Sequence, residues 1–236
     1  MNENTANVDP AEVSKFNAMA SRWWDPDGEF KPLHELNPVR FSFIADGLDL
    51  RGKQVVDIGC GGGILTESLA LAGANATGID MAADALAVAR LHAKASQLDI
   101  DYQHTSTTNF LQGKHSQFDL VTCMELLEHV PDPALLVGEC AQLLKPGGQA
   151  CFSTINRTFK AYALAVVGAE YVLRLLPRGT HDYQRFIKPS ELATAIRKAG
   201  LEITEIKGLR YDPLTGIHAL TDNTDVNYVV RTRKPE

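Results

Sequence analysis

Cysteine is scarce in this sequence. Cys60, Cys123, Cys140 and Cys151 are the only four, and no two are spaced as CxxC. That excludes a paired-cysteine metal or redox motif and leaves reduced, buried thiols as the expectation. Basic residues are outnumbered, 23 Lys and Arg against 29 Asp and Glu, for a net charge of −6. Nucleic acid is therefore not an expected partner, since phosphate binding needs a positive field. No apolar run reaches the ~20 residues that span a bilayer. Repeats and low-complexity tracts are lacking, and no secretory leader is recognisable, so a cytoplasmic location is expected. What remains, 236 residues at 44% hydrophobic, suffices for one α/β domain spanning residues 1–236.

The chain is organised around Gln54–Thr66, QVVDIGCGGGILT. A short β-branched run meets a cluster of glycines, and helical spacing follows at once. This is a buried strand turning into a helix, the opening unit of a nucleotide-binding α/β sheet. The dinucleotide fingerprint GxGxxG fits at Gly59 and Gly61 but fails at its last position, Ile64. Asp57 stands two residues before Gly59. A carboxylate there repels a pyrophosphate and attracts a cation. S-adenosylmethionine (SAM) carries an ammonium and a sulfonium and no phosphate, so the loop favours SAM over NAD. Asp80 ends the second strand, about twenty residues on, where a carboxylate can accept from ribose hydroxyls. Capping of the next helix is the plainer alternative.

Strands are expected at Gln54–Ile58, Asn75–Ile79, Ile100–His104, Phe118–Cys123 and Gln149–Ser153, alternating with helices that include Ala83–Ser96 and Pro133–Leu143. Such alternation predicts a parallel sheet with ligands outside the carboxyl ends of its strands. Before it lies an N-terminal helical cap, residues 1–50. It holds a helix over Ala11–Ser21, an irregular stretch over Phe30–Pro38, and a second helix starting at Asn37-Pro38. Residues 155–188 read as a helical insertion or lid. Ile203–Tyr211 and Val226–Thr232 read as an antiparallel C-terminal hairpin.

Asp57–Gly63, Asp80, Asp119–Cys123 and Leu143–Gly148 (LLKPGG) together resemble the ordered motifs of class I SAM-dependent methyltransferases. More specific stretches resemble the O-methyltransferases of bacterial ubiquinone biosynthesis. They are Ser21–Asp25 (SRWWD), Gly28–His34 (GEFKPLH), Cys123–Glu125 with Leu127–Pro133 (LEHVPDP), Gly179–Asp182 and Asp225–Tyr228. The resemblance runs from about Phe16 to Val230. It implies a Rossmann-like class I fold, a mostly parallel seven-stranded sheet flanked by helices. It implies methyl transfer from SAM to phenolic hydroxyls of polyprenylated ubiquinone precursors, at two steps. By position, Arg40 would meet the methionine end of SAM, Gly59 its methionyl backbone, Asp80 the ribose, and Met124 the cofactor near the fourth strand, with Asp57, Gly61 and Met81 also cofactor-binding. Other proteins of ubiquinone synthesis are implied as partners. One departure stands out. Methyltransferases of this class often place an acidic residue after the third strand for the adenine amino group. His104–Thr108 here holds no carboxylate.

A phenol has a pKa near 10 and reacts best as the phenolate, so its proton must be removed or stabilised. Glu125, Glu128 and His129 follow the fourth strand; if helical, Glu125 and Glu128 share a face, with His129 one turn from Glu125. Three roles are open. His129 can be the general base. All three can hold a divalent cation such as Mg2+ that acidifies the phenol. Glu128 and His129 can simply support the turn into Val130–Pro133. A prenylated substrate also calls for access to a membrane. Lys160–Asp182 is apolar and aromatic, with Tyr162, Tyr171, Leu173 and Leu176 among its residues. Lys160, Arg174, Arg178, Arg157, Arg185 and Lys188 surround it. It can lie peripherally on the anionic inner face of the cytoplasmic membrane, or form a buried lid. Other readings are a class I methyltransferase of a different acceptor, an NAD oxidoreductase, and a SAM-binding scaffold without chemistry.

Overall fold

The computed structural model describes residues 7–163, 182–212 and 217–236. Its centre is strand β1, Gln54–Ile58, buried at all but its first residue. Val55, Val56 and Ile58 have packing partners on both faces of the sheet, which is why the run is continuously apolar rather than alternating. β2 (Asn75–Asp80), β3 (Asp101–His104), β4 (Phe118–Met124) and β5 (Leu144–Ile155) pair in parallel around it. β6 (Glu202–Asp212), β7 (Ile217–Thr221) and β8 (Asn227–Arg233) complete one eight-stranded sheet in the order β3-β2-β1-β4-β5-β8-β6-β7. The strand order reverses beside β1, whose neighbours are β2 and β4, and that reversal opens a crevice at the carboxyl ends.

Helices cover both faces. α6 (Pro133–Leu143) and α8 (Pro189–Lys198) place Leu136, Val137, Leu192 and Ile196 against Val121 and Phe152. α2 (Lys31–Ala45) and α3 (Ile64–Leu71) place Phe43, Ile44, Leu65 and Leu69 against Val55 and Leu120. α4 (Ala83–Ala95) packs Leu86 and Ala89 on Tyr102 of β3. Three short elements matter below: α1 (Pro10–Met19), the single turn α5 (Thr107–Phe110) and α7 (Phe159–Ala161).

Three expectations need correction. The sheet has eight strands, not seven. β8 inserts between β5 and β6, and β7 is added at the outer edge by pairing Gly208–Asp212 with Ile217–Thr221. The residues around Pro213 and Gly216 signal a turn, and that signal hid the strand following it. Second, Phe30–Pro38 is not irregular: α2 starts at Lys31, with Pro32 in its first turn, and carries Pro38 inside. Pro38 withholds an amide from only one carbonyl, and the buried Leu36, Phe43 and Ile44 hold the helix to the sheet. Third, the strand expected at Gln149–Ser153 spans Leu144–Ile155 and takes in Pro146–Gly148, where its register against β4 shifts. Of the residues 155–188 read as an insertion, 164–181 lie outside the described residues, and with them Tyr171, Leu173, Arg174, Leu176 and Arg178.

Candidate functional site

The carboxyl ends of β1, β2, β3 and β4 open into one cleft of ≈ 1220 Å³, its mouth included. Arg40, Asp57, Gly59, Gly61, Asp80, Met81, Met124, Glu125 and His129 all line it. Glu128 does not: it is buried behind the cleft wall.

The glycine loop is shaped by contacts that a side chain would destroy. A Cβ on Gly59 would come within 2.7 Å of Leu126, and one on Gly61 within 2.1 Å of the Trp23 ring. Both residues also have positive φ, which disfavours any side chain. Asp80 fixes this loop as well as facing the cleft. Its Oδ2 accepts the Gly61 N–H at 2.8 Å and its Oδ1 the Ala82 N–H at 2.7 Å, at the start of α4. The same carboxylate thus anchors the glycine loop and the turn that leads into α4, whose N-cap Ala82 makes no side-chain capping bond. Burial raises its pKa, against the pull of those backbone donors.

Asp57 is also buried, which raises its pKa. Thr66 and Thr122 each donate to one of its oxygens at 2.7 Å. Each Asp57 oxygen already accepts one hydroxyl, which orients the carboxylate at the cleft wall. Arg40 lies opposite, 4% exposed. It makes one long hydrogen bond, Nη2 to the Leu33 carbonyl at 3.5 Å, and its Nε has no partner among the described residues. Burial lowers its pKa while the charges of Glu125 and Asp57 raise it. A buried guanidinium with an orphaned donor, facing a cleft, fits a carboxylate-bearing ligand such as the methionine end of SAM.

Beyond β4 the chain does not form the α-helical turn that would align Glu125, Glu128 and His129. Glu125 takes a left-handed backbone conformation (φ 52°), and only Leu127–His129 forms a 3-10 turn. The carboxylates separate onto β5: Ser153 donates to Glu125 and Thr154 to Glu128, each at 2.6 Å. His129 turns the other way, its Nδ1 2.8 Å from Oε2 of Glu12 on α1. Among the described residues no three His, Cys, Asp or Glu side chains are grouped to hold a metal ion. The expected Mg2+ set of Glu125, Glu128 and His129 therefore does not fit this geometry. Burial, with the charge of Glu125, pushes the Glu128 carboxyl up to about 7. Burial works against a charged His129, but the bond to Glu12 and the charges of Glu128 and Glu125 prevail, and its pKa is raised.

Sequence reasoning missed several lining residues. Asn7, Asp9, Glu12 and Phe16 reach the cleft from the N-terminal segment, and Trp23 stacks on Phe30 at its wall. Nothing in their local pattern marks them. Glu139 of α6 is different. It falls three residues after Leu136 and four before Leu143, on the buried stripe of the helix. A carboxylate in an apolar stripe was a readable signal.

Comparison with known proteins accords with this geometry. A methyltransferase-domain family profile matches residues 33–206. The ubiquinone biosynthesis O-methyltransferase of Aromatoleum aromaticum is 59% identical over 228 residues, 97% of each chain. That of Ralstonia nicotianae is 56% identical over 236 residues, 100% of this chain and 99% of the relative. Among solved structures, a magnesium protoporphyrin IX methyltransferase from Synechocystis with bound SAH superposes with a TM-score of 0.71. It is 18% identical and covers 96% of this chain and 100% of its own. At that identity the match speaks for the fold alone.

Proposed function

The chain belongs to the ubiquinone biosynthesis O-methyltransferases, and from that premise we infer that it is a SAM-dependent O-methyltransferase acting on phenolic hydroxyls of polyprenylated ubiquinone precursors. We extend the reading to both O-methylations, that of a 2-polyprenyl-6-hydroxyphenol and that of 3-demethylubiquinol. One observation carries it. Identity of 56–59% runs over essentially the whole of both chains. Cofactor-binding motifs shared by all class I methyltransferases would not by themselves require this, so the acceptor side is alike as well.

SAM supplies an electrophilic methyl group on a sulfonium. Arg40 pairs with the methionyl carboxylate, and Asp57 and Glu125 set a negative field suited to the ammonium and sulfonium. Asp80, still carrying free lone pairs, accepts from the ribose hydroxyls, while Gly59, Gly61, Met81 and Met124 bound the ligand closely. His129 removes the acceptor's proton. With Nδ1 held by Glu12, its Nε2 is the atom that takes the phenolic hydrogen. The O–CH3 bond forms as the S–CH3 bond breaks; the sulfonium's positive charge ends as the proton on His129. No step is routed through a metal ion. The prenylated acceptor, and Phe159 exposed at 81% beside Lys160 and Tyr162, further support peripheral association with an anionic membrane face. Other proteins of the pathway are partners in this reading.

Incubation with SAM and a short-chain prenylated catechol tests it. Mass detection should find one added methyl, on oxygen, with SAH formed in equal amount. Recovery of SAH without methylated catechol, or of unmethylated catechol alone, would remove the acceptor assignment.

A further inference from the structure

Glu139 sits where a carboxylate is expensive. It is 4% exposed and has no ion-pair partner among the described residues. Its one hydrogen bond is accepted at Oε1 from the Thr108 hydroxyl at 2.5 Å, and its other oxygen, Oε2, accepts nothing among the described residues. An ionised carboxylate offers about four acceptor sites, so acceptor capacity remains open on the cleft side. Burial raises its pKa, as such isolation requires. A buried carboxylate held by a single donor weakens a fold unless something else binds it. Glu139 also lines the cleft, next to Thr105–Thr108.

Its place along the cleft identifies the missing donor. The strand order puts Glu125 at the end of β4, Gly59 after β1, Asp80 at the end of β2 and Thr105 after β3, in one line. The Arg40 guanidinium lies near Glu125 and Asp57. A ligand with its carboxylate on Arg40 and its ribose on Asp80 projects its base past β2, towards Thr105–Thr108. The segment after β3 holds no carboxylate. One comes instead from α6, whose Glu139 reaches across to α5.

We infer that Glu139 reads the adenine of SAM, its Oε2 accepting a hydrogen bond from the exocyclic amino group while Thr108 holds Oε1. The acidic residue that reads the base is thus supplied from the helix after β4 rather than the loop after β3. A hypoxanthine base, with a carbonyl oxygen in place of the amine, faces Glu139 with acceptor against acceptor. This inference rests on the cleft holding SAM.

Calorimetry with S-adenosylhomocysteine and S-inosylhomocysteine tests both layers separately. The unaltered protein should bind the inosyl ligand about 10- to 100-fold more weakly, the range for a hydrogen bond to a charged group. Glu139→Ala should bring the two affinities within about 3-fold of each other, chiefly by weakening the adenosyl ligand. Glu139→Gln keeps the side chain's shape and can turn its amide nitrogen towards the carbonyl, so it too should lose the preference; it serves if the alanine variant does not fold. Discrimination kept at 10-fold or more in a folded variant overturns the assignment and leaves the methyltransferase reading intact. Failure of the unaltered protein to bind either ligand overturns both.

Discussion

Glu128 shows how one buried group can govern the behaviour of the protein with pH. Its carboxyl, pushed up to about 7 by burial and by Glu125, holds its proton in the folded protein long after an exposed glutamate has lost it. Between pH 4.5 and 7 the folded state therefore binds more protons than the unfolded state. The stability from protonated Glu128 is complete below about 4.5 and is lost as pH rises through 7, on the order of 2–3 kcal/mol. Glu128→Gln keeps an acceptor for Thr154 and cannot ionise. Melting curves should show the variant gaining several degrees over the parent at pH 8 and little at pH 5; parallel curves would assign the pH dependence elsewhere. Legibility at this scale follows distance along the chain. Asp57, Asp80 and Arg40 were readable because motif position carries their chemistry. Glu12 was not, because its partner His129 lies 117 residues away; Glu139 was marked only as a carboxylate in an apolar stripe, and its partner Thr108, 31 residues away, was not.

Elements were legible where a local signal agreed with packing, as at α6, whose start carries Asp132 as cap and Pro133 in the first turn. They were misread where one turn residue outweighed the packing behind it, at Pro38 inside α2 and at Pro213 before β7. The cleft-lining role of α1 had no local signal, because its partners are distant in sequence: Phe16 and Met19 pack on the cluster of Trp23, Ile64 and Ala82, and long-range bonds fix the rest. Asn7 pairs with the backbone of Asp132, Asp9 with Arg185, Glu12 with His129, and Asn17 accepts the Asp84 N–H. The Glu12–His129 bond ties this element to the proposed base. Hydrogen bonding to His129, against the effect of burial, holds the Glu12 carboxyl down at about 2, so Glu12 stays ionised across the working range. Its charge raises the pKa of His129, and the base becomes available only as pH rises past that value. Glu12→Gln removes the charge and keeps an acceptor for Nδ1. The acid limb of the methylation rate should then move to lower pH, with kcat at pH 8 down roughly 10-fold. His129→Ala should abolish the limb and reduce kcat about 10²- to 10⁴-fold. An unmoved limb in Glu12→Gln would separate α1 from the chemistry.

At the scale of the whole molecule, the proposed reading has an acidic chain of net charge −6 meet a polyprenylated acceptor that partitions into a bilayer. Among the described residues no helix is long and apolar enough to cross a membrane; the proposed reading puts contact at a surface. Mean charge opposes approach to anionic lipid; only a local basic region can reverse it. Three of the basic residues read from the sequence are already paired: Arg157 with Glu191, Lys160 with Asp225, Arg185 with Asp9. Such pairs at a surface contribute about 0–1 kcal/mol and exchange readily for lipid phosphate. Phe159 adjoins them, 81% exposed, and an aromatic ring in that position favours the membrane interface. The protein should therefore pellet with vesicles containing anionic lipid, less so with neutral ones, and release as salt is raised past a few hundred millimolar. Phe159→Asp should weaken pelleting several-fold while leaving methylation of a soluble short-chain catechol unchanged, since Phe159 lies outside the cleft lining. Equal recovery with neutral and anionic vesicles would remove the basic region from the argument. Loss of soluble-substrate turnover in Phe159→Asp would place that ring in the cleft's service instead.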